Sequence, residues 1–287
     1  MNQAREMVAK VDELASLPAV YHQIRGVLDD PDSSITDLSN VVSADAAITV
    51  RLLHVVNSVY FGLMSRVDTV SRAVGMLGMR QVHDIVLATS VASMFKGMSP
   101  TNMNMTRFWR NSVMRALIAR TGAEMVRVSD LERFFVAGLL SDLGHLAMYQ
   151  VEPELAEQAQ VRSAESGEAL HDIERELLGC DYAQVGAALV EKWNLPRRLV
   201  AAIAGQIEPV NAEGLFCRDA ALLHLARVMT NAMEQRLESD AMVPMIDETI
   251  WSLTDLKAAD IATIRLIADM NHSEVVTLFF PQLEPVC

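Results

Sequence analysis

The stretch from Ser129 to Gln150 constrains the fold more than any other part of the chain. Ser129 followed by Glu132 has capping-box spacing, which predicts a helix start here. Leu139, Leu140, Leu143, Leu146 and Ala147 then recur at helical spacing and make a wide apolar face. Gly138, Ser141 and Gly144 are small, and two glycines in one helix carry a propensity cost. A helix retains such residues where another backbone must come close. The pattern therefore predicts a central, closely packed helix. It also sets one acid, Asp142, among apolar neighbours, and a buried acid needs a partner or a metal.

Hydrophobic residues make up 51% of the 287, enough for a substantial core in one large domain or two modest ones. Glycine and proline are sparse, and alternating β-branched runs are few, so the expected class is all-α. A net charge of -13 argues against a nucleic-acid-binding surface, because phosphate contacts need clustered Lys and Arg. Cys180, Cys217 and Cys287 are far apart and form no CxxC pair or disulfide framework. With no signal peptide evident, this points to a reducing cytoplasm. No apolar run reads as long enough to span a bilayer, the longest being interrupted by Arg, Asp or His.

The first half reads as about five short helices. Val8, Val11, Leu14 and Ala15 set up one that ends at Leu17-Pro18, and Val20, Ile24, Val27 and Leu28 line a second. A turn at 29–34 precedes a helix over 35–42. Ser43 is placed to cap the next helix, which runs from Asp45 to Asn57. Short helices around 70–78 and a long apolar one near Val82 to Phe95 follow. Polar Ser99 to Asn104 is the best hinge.

Five ordered motifs in this half resemble the HDOD family, the HD-related output domains of bacteria. They are Leu17-Pro18, Ser43-Ala-Asp-Ala-Ala-Ile48, Arg51-Leu-Leu53, Asn57-Ser-Val-Tyr-Phe-Gly62 and Ala73-Val-Gly-Met-Leu-Gly78. The resemblance runs from about Leu14 to about Glu208. Residues 137–146, Ala-Gly-Leu-Leu-Ser-Asp-Leu-Gly-His-Leu, are similar to the signature helix of the HD metal-dependent phosphohydrolases. In that superfamily a His-Asp pair on this helix binds one or two metals; here it reads Ser141-Asp142. The resemblance implies a two-lobed helical bundle, with a five-helix N-terminal lobe (1–98), an HD-like lobe (105–230) and C-terminal helices packing on the core (231–287). It also implies a role in bacterial signal transduction.

Carried over position by position, the HD metal site is degenerate. Asn111 stands where a histidine is expected after Trp109, and Tyr182 stands where relatives commonly show histidine. Gly205 and Gln206 replace paired histidines, and Arg227 replaces a final aspartate. Of the expected ligands only Asp142 survives. One carboxylate cannot hold a catalytic metal tightly, so no cofactor and no catalysis are expected. Arg227 is a candidate to replace the ion by pairing with Asp142. A relocated metal site would have to draw on Asp142 and His145, three apart on one helix face, with His171 and His224 as companions by number only.

Two features lie off this site. His83-Asp84 is a literal His-Asp dipeptide on the wrong helix, and reads as surface or groove residues. Arg51 and Asn57 either line a binding groove or, for Asn57, satisfy a helix end. Beyond residue 230, Trp251 to Met270 reads as one amphipathic helix, with Asn271-His-Ser273 turning into a last one. The expected function is a non-catalytic regulatory protein that binds a signalling protein or a small nucleotide. Asp142, Arg227 and Gln206 are the candidate contacts for the nucleotide. The alternative is a metal-dependent phosphohydrolase with an altered site. The sequence is silent on the oligomeric state.

Overall fold

The structure is a computed structural model that describes residues 2–11, 17, 19–94 and 103–283. Among these there are helices and turns and no strand. In chain order the helices are α1 (Asn2–Ala9), α2 (Ala19–Asp29), α3 (Ile35–Ser43), α4 (Ala46–Val56), α5 (Val70–Leu77), α6 (Met79–Met94), α7 (Met105–Met125), α8 (Glu132–Leu140) and α9 (Leu143–Val151). They continue as α10 (Pro153–Ser166), α11 (Leu170–Leu178), α12 (Tyr182–Lys192), α13 (Arg197–Gly205), α14 (Cys217–Glu234), α15 (Ser239–Met242), α16 (Glu248–Thr254) and α17 (Asp260–Phe279). They form two compact units. The larger takes Met1–Ala15 and Met98–Met270, the smaller Ser16–Gly97 and Asn271–Cys287.

In the smaller unit the helix starts follow local polar chemistry. Ser34 and Asp37 form a reciprocal capping box at α3. Asp45, not Ser43, caps α4, its carboxylate accepting from the Ile48 N–H at 3.0 Å. Thr69 caps α5. Such caps each contribute about 1 kcal/mol. Val20 and Ile24 point into the core, together with Leu38, Leu52, Val55, Val74 and Val86. Leu14, Ala15, Pro18, Phe95 and most of the expected hinge lie outside the described residues.

In the larger unit the longest helix, α7, is buried around most of its circumference rather than amphipathic. It packs along α8, and a Cβ at Gly138 would lie 2.6 Å from the Cα of Ala116. α9 packs as closely on α12: a Cβ at Gly144 would lie 1.8 Å from the Tyr182 carbonyl oxygen. The small residues therefore do bring backbones together. α1 lies against α12, with Arg5 gripping Glu191 through bonds of 2.9 to 3.1 Å. Trp193 is fully buried at the end of α12.

Several expectations are corrected. The stretch 129–150 is two helices, α8 and α9, broken at Ser141-Asp142. Its capping box does not form, because the Glu132 carboxylate turns to Arg120 at 3.1 Å and Leu131 takes the cap position. Trp251 to Met270 is likewise two helices. Asp255 adopts a left-handed conformation (φ 65°) that ends α16, and α17 runs uninterrupted through 271–273. The span Glu132–Val151 does have the length and composition to cross a membrane, but 83% of that window is buried inside the fold.

Candidate functional site

The larger unit holds a cavity of about 620 Å³ walled by α7, α9, α10, α11, α12 and α14. A chain of ionic contacts runs through its wall. α7 supplies Arg115, whose Nη1 lies 2.6 Å from Asp142 Oδ1. The same oxygen meets His145 Nδ1 at 3.0 Å, and His145 Nε2 faces Glu174 Oε1 at 2.9 Å. The other Glu174 oxygen accepts the Tyr182 backbone N–H at 3.0 Å, and the Tyr182 ring stacks on His145 with centroids 4.2 Å apart. Each member has a local origin. The helix break at 141–142 turns Asp142 toward α7, and the three-residue step to His145 keeps both on one side. The tight approach at Gly144 brings the Tyr182 ring over the imidazole.

The electrostatics follow from that order. Burial alone would raise the Asp142 carboxyl, but Arg115 and His145 overcome it and hold it well below the usual carboxylate range. Burial would lower His145, yet Asp142 and Glu174 on either side push it up to about 10, so it is an imidazolium at neutral pH. Arg115 and His145 thus balance Asp142 and Glu174. Burial pushes the Tyr182 phenol up to about 12, keeping its hydroxyl protonated.

The sequence-predicted positions separate into two groups. Asn111, Asp142, Tyr182 and Arg227 line the cavity; Ser141, Gly205 and Gln206 do not. Asn111 donates to Glu234 at 2.6 Å. The Gln206 amide donates to the Ser141 carbonyl at 2.7 Å and is wholly buried, a strut behind the site. Gly205 fits where a Cβ would come 2.7 Å from that of Ala212. The guanidinium that pairs with Asp142 is Arg115's, not Arg227's, which corrects the pairing expected from sequence. His145, three residues from Asp142, is part of this chain of ionic contacts. His171 lines the cavity, whereas His224 turns Nδ1 to the Gln206 and Ile207 carbonyls at 2.9 and 3.1 Å.

In the smaller unit, the Asn57 amide closes a loop: it donates to the Leu53 and Val67 carbonyls and accepts from the Val67 N–H, each at 2.7 Å. Arg51 is exposed on α4. His83 is buried, not superficial, between Asp84 at 2.8 Å and the Tyr21 hydroxyl at 3.0 Å.

These residues do not fit the metal that the HD resemblance implies. The surviving carboxylate is engaged by a guanidinium and an imidazolium, and a protonated imidazole has no lone pair for a metal. Among the described residues no three His, Cys, Asp or Glu side chains gather as a metal-binding group. Sequence reasoning missed Arg115 and Glu174. A lone Arg in the apolar run Val113 to Ala119 carries the same signal as Asp142, a buried charge that demands a partner.

Comparison with known proteins identifies the fold. An uncharacterized protein of Treponema pallidum (strain Nichols) is 23% identical over 198 residues, which is 69% of this chain and 38% of that one. The chain thus spans well under half the length of that relative. The crystal structure of a presumed phosphohydrolase from Shewanella amazonensis SB2B superposes with a TM-score of 0.75 at 25% identity, covering 95% of this chain and 97% of that one. A presumed signal transduction protein from Marinobacter aquaeolei VT8 gives 0.70 at 20% identity, covering 97% and 64%. The HDOD domain matches residues 14–209, and with the all-helical fold and the HD-like helix pair around Asp142 in place, the chain belongs to the HDOD family.

Proposed function

We propose that this protein is a non-catalytic regulator in bacterial signal transduction, cytoplasmic, acting by binding a small nucleotide or a signalling protein. One observation carries the reading: the Asp142 carboxylate is held by Arg115 at 2.6 Å and by His145. A group committed to two buried cations is a structural counter-ion rather than a metal ligand or a general base. The cavity beside it has the size of a small-molecule site.

The test is turnover of p-nitrophenyl phosphate and a cyclic dinucleotide with Mn²⁺ or Fe²⁺ supplied. No hydrolysis above background is expected. Metal-dependent turnover that Asp142→Ala abolishes would instead establish the second reading, a metal-dependent phosphohydrolase. That reading draws its support from the likeness to the Shewanella amazonensis protein.

A further inference from the structure

The basic side chains of the cavity wall are not equivalent. Arg107 is paired with Glu234 at 2.5 Å and Arg115 with Asp142 at 2.6 Å. His145 lies between two carboxylates. Among the described residues Arg227 has no carboxylate within ion-pair distance, and its Nε is shielded without a hydrogen-bond partner. Its Nη2 lies 3.5 Å from His224 Nδ1, and that contact is not a bond. Burial and Arg227 push His224 down to about 4, so the ring is neutral; Nδ1 faces two carbonyl oxygens and must carry its hydrogen toward them. Two donors face each other there, and among the described residues no acceptor meets Arg227 Nε.

A second donor shares this condition. Tyr182 lines the same cavity, and its buried hydroxyl has no partner among the described residues. Arg227 is half-buried with its Nε shielded from solvent, and a shielded donor left unpaired, like the buried Tyr182 hydroxyl, costs stability. A chain that keeps both in one cavity has a use for an acceptor there. The wall acids at Asp142, Glu174 and Glu234 already have donors.

We infer that the cavity takes a small phosphorylated molecule whose phosphoryl oxygens are held by the Arg227 guanidinium, with the Tyr182 hydroxyl as second donor. This rests on the binding reading above and names its ligand class. Donors from two helices suit a tetrahedral group with oxygens in several directions, and an arginine fork matches two of them. The Phe108, Met148 and Leu170 side chains in the same wall offer apolar surface to the rest of the ligand. The volume of about 620 Å³ admits a nucleoside monophosphate.

The experiment is calorimetric titration and thermal shift of the full chain with adenosine monophosphate, inorganic phosphate, adenosine and succinate. The phosphorylated probes should bind and raise the melting temperature, while adenosine and succinate at equal concentration should not. Arg227→Gln should weaken adenosine monophosphate about ten- to hundredfold and, without ligand, melt no lower than the parent. Arg227→Lys should fall between the two, and Tyr182→Phe should weaken binding about three- to tenfold. Unchanged affinity in Arg227→Gln, equal binding of succinate, or no response to either phosphorylated probe would overturn the inference. Released adenosine is read in the same samples. Arg227-dependent binding with release supports the phosphoryl site but overturns the non-catalytic reading. Neither binding nor release overturns the phosphoryl site and leaves that reading standing.

Discussion

Each unit of the molecule contains a His-Asp contact, and the two are nearly alike as isolated pairs. His145 and Asp142 are 3.0 Å apart with side chains 14% and 10% exposed; His83 and Asp84 are 2.8 Å apart at 9% and 15%. Their company differs. The first pair is flanked by Arg115 and Glu174 and opens on a cavity; the second is closed off by the Tyr21 hydroxyl. A literal His-Asp dipeptide is therefore compatible with a plain core hydrogen bond. The His145–Asp142 pair is part of a chain of ionic contacts and lines a ligand-sized space. What separates the two pairs here is the cavity, not the motif.

The largest expected effect that sharpens this contrast comes from the two aspartates. Asp142→Ala leaves Arg115 and His145 as buried cations without their shared carboxylate, and should destabilise by about 3–5 kcal/mol. Asp84→Ala removes a partly exposed partner and should cost about 1 kcal/mol. Urea unfolding of both variants checks the pair, and equal losses would erase the distinction. Next in size, Gly144→Ala drives a Cβ into the Tyr182 carbonyl, backbone against backbone, and should cost about 3 kcal/mol. The same titration should show it, with loss of the His145–Tyr182 stack.

The pH dependence comes third. His145 rises from 6.5 to about 10 in the fold, because Asp142 and Glu174 outweigh its burial. A raised folded pKa gives stability that is full below about 6.5 and is lost as pH climbs through about 10. The unfolding midpoint should therefore fall between those values by an amount worth a few kcal/mol. Asp142, whose carboxyl is lowered, contributes above its ordinary value near 3.8 and loses that contribution as pH drops further. His145→Gln should flatten the alkaline slope; an unchanged slope would mean that His145 is not its source. The smallest effect is Tyr21→Phe, which deletes the bond to His83 Nε2 and should cost about 1 kcal/mol by the same unfolding assay.

The all-helical class and the close approaches at Gly138 and Gly144 were legible in the sequence, because small residues on an apolar stripe have few other uses. So was Asp142's need for a partner. The partner itself was not: Arg115 lies in another helix, and pattern alone cannot say which distant charge folds against it. Glu174 was hidden for the same reason, reading as one more acid on an acidic amphipathic segment. The break at Ser141-Asp142 escaped because the apolar spacing continues across it, and the stop at Asp255 because a left-handed aspartate leaves no periodic trace. Arg227 lines the cavity, but the cation beside Asp142 is Arg115.

The most direct test of the central claim, that buried cations rather than a metal satisfy Asp142, is metal analysis. Protein expressed with Mn, Fe and Zn available and purified without chelator should carry less than about a tenth of an equivalent of any of them. A stoichiometric ion that Asp142→Ala removes would contradict the claim and return the protein to the metal-dependent phosphohydrolases.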